Sequence, residues 1–426
     1  MPLIVSILCM SEPPGVSAQV AAEVKQLPQP TGKYGIGRIA YHWVDSSRAE
    51  KLSKVPGANR EIMVYVWYPA DSRKSSSKYS EYLPGADSVA NSKDGKEMLD
   101  FWGNSWALLR ADKIVTETLD KPPIASGNER FPLITFSPGL GIPVAAYTTL
   151  IQELVSHGYV VAAVEPTYEA PAVVFPDGRV IPPLPEATGR HLPEPPGETR
   201  DQFIKRMHIF DEPHINRWAY DVRFSIDQLT VLNRGNTNAA PFAGRLDLYN
   251  IAVWGHSFGG RAAARACQLD KRIKACLDAD GLGPDGPILV FDGAALPPQP
   301  FMWMEVHHEP PTEAQLAPYG TTRKEWDTNH QVQLVTDEQQ LRACPGGSYH
   351  VLINTDGISH SSFTDQPFIT ATTEKQSMQA SAALGIIGAY TVAFFDRELK
   401  DRKDTVFDGK NVSNAGVTVE KYGNLN

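Results

Sequence analysis

Ten residues, 251–260, constrain this chain most: Ile251-Ala252-Val253-Trp254 leads straight into Gly255-His256-Ser257-Phe258-Gly259-Gly260. The apolar part reads as a short buried strand and the alanine-rich residues 261–266 as the start of a helix. A turn this tight leaves no room for side chains at its flanks, so Gly255 and Gly259 stand where a Cβ would clash and Ser257 is left exposed at the tip. An ordinary glycine-rich turn fits the same five-residue pattern. The weight therefore falls on whether strand, helix and partner residues accompany it, and both flanking elements are present.

The rest of the chain repeats the strand–helix alternation that a parallel sheet requires. Residues 131–136 are an apolar strand ending in the glycine-rich turn Ser137-Pro138-Gly139-Leu140-Gly141, and residues 144–157 a helix closed by Gly158. Residues 159–164 form the next buried strand. Further strands are expected at 273–281, running into acidic residues and a glycine, at 301–306 and at 349–353, and a long amphipathic helix at 372–399. Two β-rich runs, 35–44 and 60–68, precede them as antiparallel edge strands. Residues 98–119 show helical spacing with Trp102, Trp106 and Leu109 on one face, which suits core packing or, alternatively, a lid or lipid-facing helix.

In domain terms, residues 1–32 read as a leader and linker, 33–400 as one α/β domain with insertions near 71–125, 166–200 and 309–345, and 401–426 as a C-terminal tail. The start is a short apolar stretch followed by Val16-Ser17-Ala18, a small-residue cleavage pattern without a basic n-region. If it is a signal peptide the protein is secreted or periplasmic, and otherwise cytoplasmic.

A net charge of −9 with no Lys/Arg-rich block argues against nucleic acid as a partner. No run is expected to reach the roughly 18 apolar residues of a membrane span. Cys9, Cys267, Cys276 and Cys344 show neither CxxC nor metal-type spacing, so free buried thiols are expected.

A serine hydroxyl is a poor nucleophile at neutral pH and needs a base within hydrogen-bond reach and a carboxylate to fix that base's tautomer. On a parallel sheet the order Ser, acid, His, each at the carboxyl end of a strand, marks such a set. Here Ser257 is followed by Asp278 and Asp280 at a strand end, and His360 comes after the strand at 349–353. His256 lies inside the Gly255–Gly259 turn, a nucleophile elbow if Ser257 is the nucleophile, and points away from the hydroxyl beside it. His307 and His308 flank Glu309, but the helical zinc motif would need a second His where Thr312 stands, so no metal is expected. His350 reads as structural. Negative charge developing on a carbonyl oxygen calls for two backbone N–H donors: Phe258, next to the serine, and Leu140 in the turn after residue 136. No cofactor is implied.

These residues together resemble the plasma-type (group VII) platelet-activating-factor acetylhydrolases and their bacterial relatives. The likeness rests on residues 136–141, 157–165 and 255–260, on Asp280-Gly281, and on His360 followed by Phe363 and Asp365. Pro138 stands where a His is common in that family, and the 166–200 insertion is long, which bears on substrate choice more than on mechanism. The resemblance implies an α/β-hydrolase fold with helices on both faces of a mostly parallel sheet. It also implies a calcium-independent serine esterase acting on short or oxidised sn-2 acyl esters of phospholipids, with peripheral contact to membrane or lipoprotein surfaces. It favours Asp280, 23 residues after Ser257, over Asp278 as the acid, as does Gly281, which marks the turn after it. Polyester, cutin and general carboxylester hydrolases share the same motifs, and a catalytically silent hydrolase-fold binding module is the alternative of another class.

Overall fold

The computed structural model describes residues 24–71, 77–187, 200–235, 241–282, 296–317, 320–403, 406–408, 416–423 and 425. The strands of its main sheet are, in chain order, β1 (Gly35–Ala49), β2 (Asn59–Ala70), β3 (Thr118–Asp120), β4 (Phe131–Ser137), β5 (Val160–Glu165), β6 (Leu246–His256), β7 (Ile273–Ala279), β8 (Phe301–Val306), β9 (Ser348–Ile353) and β10 (Val417–Tyr422). They form one ten-stranded sheet in the order β10-β9-β8-β7-β6-β4-β5-β2-β1-β3. The run from β5 to β9 is parallel throughout, and β2 and β10 add antiparallel pairs at either side.

The central strands β4 and β5 are buried at every residue, as strands covered on both faces must be. Alternation sends Ile134, Phe136, Ala252 and Trp254 to one face, where they pack with α1 (Thr148–Ser156) and α4 (Glu374–Lys400). Leu133 and Val253 face the other way, against Trp218 and Val222 of α2 (Arg200–Arg234) and Ala262 and Ala263 of α3 (Phe258–Leu269). This is the α/β-hydrolase fold, with the carboxyl ends of six parallel strands opening on one rim. At that rim the buried Arg60 guanidinium donates to Asp221 of α2 at 2.6 Å and to Glu50 at 2.8 Å, tying the helix to the β1–β2 hairpin.

Several expectations need correcting. The helical spacing over 98–119 is interrupted: the segment holds helices Lys93–Phe101 and Ser105–Arg110, then strand residues Ile114–Val115 and β3. Gly103, at φ 71, breaks the helix, and the β-branched residues that follow prefer extended backbone. Trp102 and Trp106 are buried, so the lipid-facing reading fails for both indoles. The 401–426 segment is more than a tail, because β10 pairs with β9 and closes that edge of the sheet. In chain order β10 thus follows the strand expected at 349–353. Among the described residues α4 is long and apolar enough to cross a membrane by length and composition, but most of that stretch is buried in the fold. The leader, Cys9, and part of the 166–200 insertion lie outside the described residues.

The thiol expectation also fails for one pair. Cys267, near the end of α3, and Cys276, on β7, are disulfide-bonded, while Cys344 is free and buried. The three residues between α3 and β7 fold the helix end back on the strand and bring the two Cα atoms within 6.5 Å, a proximity that the linear spacing does not advertise. A loop of this length is worth about 2–3 kcal/mol in the chain-entropy account. Reduction should therefore lower the melting temperature and add two hydrogens to the intact mass. An unchanged mass after denaturing reduction would show that the bond does not form.

Candidate active site

The elbow is built where β6 meets α3. Ser257 sits at φ 55, ψ −126, in a region that non-glycine residues avoid, and its N–H donates to the Ala279 carbonyl of the next strand at 2.8 Å. The glycines are obligatory by contact. A Cβ at Gly255 would lie 2.0 Å from the Gly259 carbonyl oxygen, and one at Gly259 would lie 2.2 Å from that of Ser137. That second approach presses the start of α3 against the end of β4, which brings the turn at 137–141 beside the serine.

Asp280 and His360 meet at the same rim. The His360 Nδ1–H donates to Asp280 Oδ2 at 2.5 Å, which puts the ring proton on Nδ1 and leaves Nε2 as the free lone pair. That Nε2 is buried and has no hydrogen-bond partner among the described residues, and the ring lies 4.5 Å from that of His256, the neighbour of Ser257. The other Asp280 oxygen accepts from the Val306 N–H at 3.2 Å and from His308 Nε2 at 3.3 Å. Burial alone would raise the Asp280 pKa, but the His308 charge and the hydrogen bonds from His308 and His360 outweigh it and hold the carboxyl well below its ordinary value.

Asp278 has a different position. It is fully buried in β7 and accepts from the Gly281 N–H at 2.7 Å, with its carboxylate packed so close beneath Gly260 that a Cβ there would lie 2.6 Å from Oδ2. Burial pushes its pKa up to about 7. The structure thus brings Ser257, Asp280 and His360 to one rim and turns Asp278 under the elbow.

Phe258 is the first residue of α3, so its N–H has no intrahelical acceptor and points out of the helix start. In the turn after β4 the Gly139 N–H is already taken by the Tyr147 hydroxyl at 2.9 Å, and the next N–H is that of Leu140. The Ile142 N–H closes the turn on the Gly139 carbonyl at 3.1 Å, with Gly141 at φ 72.

Sequence reasoning missed several supports. His256 is buried, bonds the Tyr147 hydroxyl through Nδ1 at 2.8 Å, and is held neutral by burial first and by the nearby His360 second. His308 was weighed only as a metal ligand and lies instead on Asp280. Buried Glu165, at the end of β5, accepts from the Val144 N–H at 3.2 Å, and burial raises its pKa to about 8. Asp365 accepts from the Thr149 N–H at 3.3 Å, and its own N–H donates to the Ala146 carbonyl at 2.6 Å. It anchors the His360 loop to the segment that follows the glycine-rich turn. His350 is structural as expected, bonded to Glu305 at 2.8 Å. Only the position of Asp365 in the His360 motif was visible beforehand.

Comparison with known proteins agrees with this architecture. The family model described as platelet-activating factor acetylhydrolase, isoform II, matches residues 19–174, which include the glycine-rich turn and stop before the elbow. The chain is 31% identical over 176 residues to the platelet-activating factor acetylhydrolase of Cavia porcellus, covering 37% of this chain and 36% of that protein. It is 26% identical over 282 residues to a probable 1-alkyl-2-acetylglycerophosphocholine esterase of Arthroderma benhamiae, covering 65% and 64%. The matches thus span from about a third to just under two thirds of these relatives' lengths. Among solved structures, a ferulic acid esterase from Streptomyces cinnamoneus superposes with a TM-score of 0.62 at 25% identity, over 93% of this chain and 99% of that one. By fold and by these matches the chain is an α/β-hydrolase with platelet-activating factor acetylhydrolases among its relatives.

Proposed function

We propose that this protein is a serine esterase. The observation that carries the reading is the alignment on one rim of a strained, tip-mounted Ser257 and a His360 whose Nδ1 is fixed by the buried Asp280. In this mechanism the Ser257 hydroxyl gives its proton to His360 Nε2 as Oγ bonds the acyl carbon. The Leu140 and Phe258 N–H groups hold the oxyanion. The imidazolium then passes its proton to the departing alcohol as the C–O bond breaks, leaving an acyl ester on Ser257. A water repeats the cycle: it loses a proton to His360, attacks the ester, and releases a carboxylic acid with Ser257 reprotonated. Asp280 keeps the tautomer and stabilises the transient positive charge. A catalytically silent module would have no reason to keep serine, base, acid and donors together.

For substrate we propose short or oxidised sn-2 acyl esters of phospholipids, supported by the family match and by the names of the relatives. A second reading, an esterase for non-lipid carboxylic esters, is favoured by the ferulic acid esterase likeness, which runs over nearly the whole chain. A panel of acetyl and short-acyl sn-2 phosphatidylcholines, p-nitrophenyl esters and a feruloyl ester separates them. The lipid reading expects kcat/KM for the short-acyl phospholipid to exceed that for a long-acyl one by at least tenfold, about 1.4 kcal/mol of transition-state discrimination. Turnover of the feruloyl ester with none of the phospholipids would establish the second reading.

A further inference from the structure

We propose that Asn104 and Tyr147 clamp the two ends of the turn at 139–142 and thereby aim the Leu140 N–H, making Asn104, a residue of the inserted helical segment, a positioning residue for the reaction; this rests on the esterase reading above. A trans peptide points its C=O and N–H in opposite directions. Because the Gly139 carbonyl turns inward to accept from the Ile142 N–H, the Leu140 N–H of the same peptide unit must face outward. The direction of that donor is therefore only as firm as the turn.

Three peptide units of the turn have fixed partners. The Gly139 N–H ends on the Tyr147 hydroxyl, the Gly139 carbonyl on the Ile142 N–H, and the Gly141 carbonyl on the Asn104 Nδ2–H₂. Gly141 supplies the positive φ that such a turn requires, and the Trp102 ring lies so close that a Cβ there would come within 2.4 Å of it. Asn104 is itself buried and anchored, its N–H donating to the Leu99 carbonyl at 2.7 Å. At the start of the turn, the Tyr147 hydroxyl accepts from the Gly139 N–H and is hydrogen-bonded to His256 Nδ1, one residue before Ser257. The turn and the elbow thus share one hydrogen-bond network, which keeps the Leu140 and Phe258 donors in register.

Asn104→Asp keeps the side-chain shape but replaces the donor with an acceptor facing a carbonyl. Tyr147→Phe releases the other clamp. Losing an oxyanion donor outright costs on the order of 10²–10³ in kcat. Misdirecting one should cost at least about tenfold in kcat for p-nitrophenyl acetate, with KM changed less than about threefold. Wild type, Ser257→Ala and both clamp variants are assayed side by side with melting curves. If Asn104→Asp melts as wild type and keeps its kcat, or raises KM alone, the clamp is overturned. Should Asn104→Asp fail to fold, Tyr147→Phe decides by the same criterion. Wild-type turnover in Ser257→Ala would instead overturn the esterase reading itself.

Discussion

Replacing either Ser257 or His360 by alanine should reduce ester turnover by on the order of 10⁶, the scale seen when a nucleophile or base is removed from a triad. Both residues lie on turns at the carboxyl rim rather than within the strands, so a cooperative melting transition should persist. The double variant should be little worse than either single one, because nucleophile and base act as a unit and the second loss removes nothing that still works. Turnover within roughly tenfold of wild type in either single variant would take that residue out of the mechanism.

The second large effect separates two acids only two residues apart. Asp280→Asn should lower turnover by about 10⁴, since the amide favours the His360 tautomer with its proton on Nε2, where it blocks attack. Asp278→Asn should keep most of the activity, because that side chain faces Gly260 and Gly281 under the elbow and not the imidazole. It should also change the pH dependence of stability. With its pKa raised from 3.8 to about 7 in the fold, Asp278 binds more protons when folded than when unfolded across that window. Its contribution is fully present below the lower value and is lost as the pH rises through about 7, whereas asparagine has nothing to ionise. Melting curves between pH 4 and 8 should accordingly fall less steeply for Asp278→Asn than for wild type. The reverse pattern of activities in the two variants would reassign the acid.

Much of this site is written locally in the chain. Gly255 and Gly259 announce the elbow because steric exclusion acts within a few residues, and the Gly281 turn announces where β7 lets Asp280 leave the sheet. The short, almost wholly apolar runs of β4 and β5, buried at every residue, made the parallel centre of the sheet readable for a similar reason, since a strand covered on both faces must be apolar along its length. What sequence could not show is non-local. Asn104 meets Gly141 across 37 positions and His308 meets Asp280 across 28, and neither residue type carries a local pattern that predicts such a partner. The edge strand β10 is intermediate or exposed at every position but Tyr422, so it has no apolar run to betray it. The broken helix after Phe101 was misread because a periodic apolar stripe continues through Gly103, and only the positive φ at that glycine reveals the turn.

The central claim is that Ser257 is an activated nucleophile, and covalent labelling reads that property without assuming a substrate. Wild-type protein treated with a fluorophosphonate should gain a single adduct, located by peptide mass spectrometry on Ser257. His360→Ala should label far more slowly, and Ser257→Ala not at all. An unlabelled wild type, or an adduct that persists in Ser257→Ala, would contradict the account.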